Sequence, residues 1–288
     1  MSALVLELEG LPELVDPVVV TAFEGWNDAG DAASAAVDHL AQTLSAVPLI
    51  AVDPEDYYDY QVNRPTVSLD ADGHRHLSWP TTQVSVVRRG SEGGDLVLVR
   101  GIEPNMRWRQ FCEELTGLFD RLDARLVVHL GALLADVPHT RPVPVDGHAS
   151  DAELSAGLGL EESRYEGPTG IVGALADAGS RRGVPSVSLW AAVPHYVAQT
   201  PCPKATLALL RRLEDLIDTP VPMADLPEQA RAWERGVEEL AREDSEVAEY
   251  VRTLETAKDT ADLPEASGDA IAQEFERYLR RRQRRRDT

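Results

Sequence analysis

Short apolar runs alternate with stretches of helical periodicity over residues 1–220. Val18-Val19-Val20-Thr21 is typical: a continuous β-branched run, bounded by proline before and polar residues after, reads as a strand buried on both faces. The same reading predicts strands over 4–8, 18–22, 49–52, 82–87, 96–100, 126–130 and 186–190. Apolar residues spaced three and four apart predict helices over 31–46, 106–123, 169–182 and 204–218. Strands alternating with helices imply an α/β fold, a three-layer α/β/α arrangement in which a mostly parallel sheet carries helices on both faces. Residues 66–79 depart from this pattern. There Asp72-Gly73 separates two short alternating runs, which predicts an antiparallel hairpin.

Beyond Pro220, Pro222 and Pro227 the pattern is purely helical. Leu226, Ala230, Trp233, Val237 and Leu240 form one apolar stripe, and Val247, Val251 and Leu254 continue it. Asp244 interrupts the stripe and predicts a kink or a helix start. Asp-Leu-Pro-Glu occurs at 225–228 and again at 262–265, a helix N-terminus signal each time. A last helix would carry Ile271, Phe275 and Tyr278 on one face. The chain therefore divides into an α/β/α domain over 1–220 and a helical C-terminal extension over 221–288.

Charge narrows the range of partners. The chain has 28 basic and 49 acidic residues, a formal net charge of −21. So acidic a body repels nucleic-acid phosphates and anionic membranes. The Arg-rich end, 280–286, is the exception: it suits nucleic acid or an acidic protein, or else supplies favourable charge at a helix C-terminus and attraction to the protein's own acidic body. Cys112 and Cys202 stand far apart with no C-x-x-C, so both are expected to be reduced core thiols. The opening residues lack the charged and apolar regions of a secretory signal, and no apolar run approaches the ~20 residues of a membrane helix. A cytoplasmic protein is expected.

Chemistry-bearing residues gather after the predicted strands. Glu24, Trp26, Asn27 and Asp28 follow 18–22. Glu103, Arg107 and Trp108 follow 96–100, His139 and Arg141 follow 126–130, and His195 follows 186–190. In a parallel sheet these loops share one edge, where open α/β folds bind ligands. Glu24 and Asp28 would then be an acid/base pair. The competing reading makes Asn27 or Asp28 a helix cap and the tryptophans packing residues. Gly167 to Gly173 opens a helix with small residues, which suits an anion or close packing. No G-x-S-x-G elbow, G-x-G-x-x-G turn or Walker A loop is present, and no histidine spacing matches a metal site. No cofactor and no metal are expected.

These motifs converge on a known family. Phe23-Glu24-Gly25-Trp26-Asn27-Asp28-Ala29-Gly30 resembles the signature of the proteasome assembly chaperone 2 family, in its actinobacterial branch. Glu103-Pro104 with Arg107-Trp108 and the segments 135–142, 165–171 and 188–196 extend the resemblance over residues 18–220. The helical end is similar to the extension of that branch. The resemblance implies a phosphorylase-like α/β/α fold and either self-association, for which fold analogy allows a trimer, or pairing with a related subunit. It also implies a protein client. Some relatives dock on the proteasome through a hydrophobic–tyrosine–any-residue tail. This sequence ends Arg286-Asp287-Thr288, so docking by that route is not expected. The branch brings no catalytic residues with it.

Two functions are open from the sequence. The first is a non-enzymatic homo-oligomeric assembly or interaction protein. The alternative is a nucleoside- or phosphate-binding protein, or a phosphorylase- or nucleosidase-like enzyme. There Glu24 or Asp28 would hold a ribose or base, Arg107 or Arg141 an anion, and His139 or His195 would move a proton.

Overall fold

The computed structural model describes residues 11–70, 72–90, 93–160, 165–197 and 200–261. The strand expected at 4–8, the second Asp-Leu-Pro-Glu, the last helix and the arginine block lie outside them. In chain order the elements are β1 (Val18–Glu24), α1 (Ala32–Thr43), β2 (Val47–Ala51), β3 (Thr66–Leu69), β4 (Arg75–Ser78), β5 (Gln83–Val87), β6 (Leu96–Ile102) and α2 (Trp108–Arg121). They continue with β7 (Leu126–Ala135), β8 (Val145–Ala149), α3 (Ala152–Leu158), α4 (Ile171–Arg182), β9 (Ser186–Pro194), α5 (Pro203–Ile217), α6 (Leu226–Glu243) and α7 (Ser245–Ala261).

The central sheet has the order β2-β5-β6-β1-β7-β9-β8. β6, β1, β7 and β9 pair in parallel, while β5 runs against both β2 and β6, and β8 runs against β9. Most strands thus point one way. β3 and β4 form a separate two-stranded sheet, the hairpin that Asp72-Gly73 announces.

Alternate residues of the middle strands feed two cores. Val18, Val20 and Ala22 face α1 and α5 with Leu98, Val128, Leu130 and Leu189. Val19 and Phe23 face α2 and α4 with Val97, Val99 and Val127. Burial on both faces is why these strands read as continuous apolar runs. α6 joins the first core through Leu226 and Ala230.

The remaining differences from the sequence reading have local causes. β8, Val145-Asp146-Gly147-His148-Ala149, gives only a weak apolar signal because it is a short edge strand: Val145 and Ala149 pack partly against the first core, with glycine between them and polar residues on the other face. α3 is seven residues and escapes a periodicity test. β7 runs on to Ala135, beyond the predicted end at 130. Leu240 lies on the predicted stripe but is 50% exposed, because the helix turns the neighbouring Ala241 inward instead. Asp244 does start a helix: its Oδ1 accepts from the N–H groups of Glu246 and Val247 at the head of α7.

Among the described residues no helix is long and apolar enough to cross a membrane.

Candidate functional site

Asp28 lies in the turn between β1 and α1 and is buried. Its carboxylate reaches over the intervening 3-10 turn. Oδ1 accepts from the N–H of Ala33 at 2.7 Å and of Ser34 at 3.3 Å. Burial raises its pKa, against the lowering effect of these hydrogen bonds. Asp28 therefore caps α1, buried and turned onto the helix's own N–H groups.

Asn27 and Glu103 come together from two strand ends. Asn27 is 1% exposed, and its Nδ2 donates to Glu103 Oε1 at 2.7 Å. The same Oε1 accepts from the N–H of Ile171, the first residue of α4, at 2.8 Å. The small residues that open α4 therefore do receive an anion, and it is the chain's own Glu103. Gly170 makes this fit, since a Cβ there would stand 2.3 Å from Asn27 Oδ1.

The other predicted residues go elsewhere. Glu24 pairs with Arg100, which also forks onto Asp38. Arg107 holds Asp56 at 2.9 Å. Trp108 donates from Nε1 to the carbonyl of Pro104 and packs against the second core. Arg141 grips Glu255 and Asp259 of α7. His139 is buried between Tyr196 and Glu238 of α6. Burial lowers its pKa despite Glu238, so the ring is neutral at pH 7. The Nε2–H tautomer satisfies the contacts: it donates to Glu238, and Nδ1 accepts from Tyr196. The 136–144 loop is thus a clamp on α6 and α7. Lys204 reinforces it by bonding the carbonyl of His139 and pairing with Glu234.

His195 and Trp26 remain at the strand edge and line a cavity of about 1170 Å³. His195 Nδ1 meets Asp136 Oδ1 at 3.1 Å, and the same oxygen accepts from the Tyr250 hydroxyl of α7. The cavity opens between α4 and the β9–β8 end of the sheet. The burial pattern of β9 explains it: Val187, Leu189 and Ala191 are buried, while Ser188, Trp190 and Ala192 on the other face are only partly covered. Among the described residues no helix crosses the sheet there. Gly131 seats the Trp190 ring, because a Cβ at 131 would stand 2.6 Å from it. The rim is apolar: Trp26 is 65% exposed and Leu134 60%, with Leu133 and Tyr165 beside them. Asp146, His148, Tyr165 and His195 are the ionisable groups among its described lining residues, and none of these residues is Lys or Arg.

Sequence reasoning missed Leu133, Leu134, Tyr165 and the β8 residues. One signal was present, the alternation of small polar and large residues in 186–190. Asp70, Asp72 and His74 at the hairpin tip bring ligand atoms within 4.8 Å of one another. Asp70 Oδ1, however, accepts from the N–H groups of Asp72 and His74 and thereby shapes the turn.

The comparisons with known proteins agree with this architecture. The model of the PAC2 family matches residues 22–241. A PAC2 family protein from Streptomyces avermitilis is 65% identical, with a TM-score of 0.78 over 82% of this chain and 100% of that one. A proteasome-assembly chaperone homologue from Mycobacterium tuberculosis is 57% identical, with a TM-score of 0.74 over 81% of this chain and 99% of that one. PbaB from Pyrococcus furiosus, an archaeal proteasome activator, shares the fold at 17% identity, with a TM-score of 0.64 over 80% of this chain and 96% of that one. No curated protein matches the chain.

Proposed function

This chain belongs to the PAC2 family, and from that premise we propose that it is a non-enzymatic, homo-oligomeric assembly or interaction protein of the cytoplasm. Its working surface is the apolar groove at the strand ends. One observation carries this reading: most of the acidic and basic residues expected to do chemistry hold the fold, while the exposed rim of the groove is apolar. Asp28 and Glu103 cap helices, Arg107 holds Asp56, and His139 and Arg141 clamp α6 and α7. An exposed rim of Trp26, Leu133, Leu134 and Tyr165 suits a protein partner. The descriptions of its relatives as a chaperone homologue and a proteasome activator support a role in building or engaging a multisubunit assembly. In this reading the α/β/α domain over 1–220 carries the surface and the helical extension over 221–288 braces it.

The two arginines that the phosphorylase- or nucleosidase-like alternative would use for an anion are engaged elsewhere, Arg107 by Asp56 and Arg141 by Glu255 and Asp259, and no described residue of the groove lining is Lys or Arg.

The experiment is light scattering on the purified chain from 1 to 100 μM, with thermal melts in nucleosides, nucleotides and phosphate. The expected result is a mass at a fixed multiple of 31.5 kDa and no small-molecule shift. A monomer throughout would overturn the oligomeric reading. A saturable nucleoside or phosphate shift would overturn the non-enzymatic one.

A further inference from the structure

The hairpin β3–β4 is an arm with two unlike faces. The register pairs Val67 with Leu77 and Leu69 with Arg75, so these four share one face. Thr66, Ser68, His76 and Ser78 make the other. All eight strand residues are exposed, including Leu69 at 68%. Trp79 continues the apolar face and stacks on Tyr60 at the root, with ring centroids 4.8 Å apart. An isolated two-stranded hairpin is at best marginally stable in water, and one with a bare apolar face is under-buried. Among the described residues nothing buries the arm's apolar strand residues.

The groove described above is another apolar surface that the described residues leave uncovered. The arm springs from the β2–β5 end of the sheet and the groove lies at the β9–β8 end. β5 and β9 are four strand spacings apart, roughly 19 Å, whereas four strand residues extend only about 13 Å. The two surfaces are complementary in charge as well as in apolarity. Arg75 stands at the tip of the arm's apolar face, and Asp146 is the carboxylate among the groove's described lining.

We propose that the apolar face of the β3–β4 arm of one copy seats in the strand-edge groove of a second copy, with Arg75 directed toward Asp146. Such a contact is head-to-tail, because it joins opposite ends of the molecule, and it generates a closed ring or a chain. This rests on the homo-oligomeric reading above and names the two surfaces that make the assembly.

The test uses full-length chains carrying Leu77→Glu on the arm or Leu134→Glu in the groove, with Val67→Lys as a second arm variant. All three positions are exposed, and circular dichroism checks that the fold is intact. Light scattering should find each variant monomeric where the unaltered chain is oligomeric. A Leu77→Glu and Leu134→Glu mixture should form a dimer, since it retains one intact arm and one intact groove. If the unaltered chain is itself monomeric, the oligomeric reading falls and this one with it. If the unaltered chain assembles and the arm variants assemble equally well, this inference alone is overturned. Assembly of Leu134→Glu by itself would mean that arms meet arms, which also overturns it.

Discussion

Asn27 and Glu103, 76 positions apart in the chain, are joined by a 2.7 Å hydrogen bond that ties the ends of two adjacent parallel strands to the head of α4. Residues with the look of a ligand site are here a strut. Glu103→Ala strands two donors, Asn27 Nδ2 and the Ile171 N–H. Leaving buried donors unpaired costs about 1–3 kcal/mol. Urea denaturation should register that loss for Glu103→Ala and a smaller one for Glu103→Gln, whose carbonyl oxygen can still accept. Equal stability of Glu103→Ala and the unaltered chain would refute the strut.

Gly170 is the other half of that arrangement. A methyl group there collides with the Asn27 side-chain amide on three atoms, at 2.3, 2.4 and 2.7 Å. Overpacking of this kind costs typically 1–3 kcal/mol. Gly170→Ala should be destabilised in that range. Asn27→Ser in the same chain should recover part of the loss, a non-additivity that contact between the two residues requires. Strict additivity would show that they do not touch in solution.

Asp28 separates capping from chemistry. Replacing a capping carboxylate with alanine costs about 0.5–2 kcal/mol, so Asp28→Ala should lower the melting temperature. Because burial raises the Asp28 pKa, its charge is carried at a cost. Asp28→Asn, which keeps an acceptor and drops the charge, should sit nearer the unaltered chain than Asp28→Ala does. An Asp28→Asn chain as unstable as Asp28→Ala would mean that the charge, not the acceptor, matters.

The framework was legible where physics is local. Continuous β-branched runs gave the parallel strands, Asp72-Gly73 gave the hairpin, and Asp244 gave the start of α7. Asp28 as a cap was likewise readable as one of two alternatives. What stayed hidden depends on distant partners. Nothing near Arg141 in sequence indicates Glu255 and Asp259, 114 and 118 positions away. The groove is assembled from five separated segments and the glycine seat under Trp190, so no single stretch carries its signature. Of the residues that follow the strand ends, Asn27 meets Glu103 and Trp26 and His195 line the groove, while Arg107, His139 and Arg141 are held by partners that strand-end position does not reveal.

The clamp on α7 should be visible in amide exchange. Arg141 joins Glu255 and Asp259, and Tyr250 bonds Asp136. Arg141→Ala should speed hydrogen exchange across 245–261 and leave α4 unchanged. Raising the salt concentration should move the unaltered chain the same way, because exposed ion pairs are screened. Uniform exchange in both chains would place the hold on α7 in Val251 and Leu254, its buried residues, rather than in the charges.

The response to acid should be dominated by histidines buried in the neutral form. His129, in the middle of β7, is 1% exposed, and its Nδ1 lies 2.9 Å from Thr21 Oγ1 on β1. Burial lowers its pKa to about 4 from an ordinary 6.5. In the unfolded chain the ring takes up its proton as pH falls through 6.5, while in the folded chain it does so only near 4. Between those values the unfolded state binds more protons, so stability is full above pH 6.5 and declines as pH drops toward 4. At about 1.4 kcal/mol per pH unit, the loss approaches roughly 3 kcal/mol once pH is below both values. His139, whose pKa burial also lowers, adds in the same direction. Urea midpoints at pH 7, 5.5 and 4.5 should therefore fall. The double variant Thr21→Val, His129→Leu removes the ring and its partner together, leaving no orphaned hydroxyl, and should fall less steeply over the same interval. Identical slopes in the two chains would mean that His129 does not govern the acid limb.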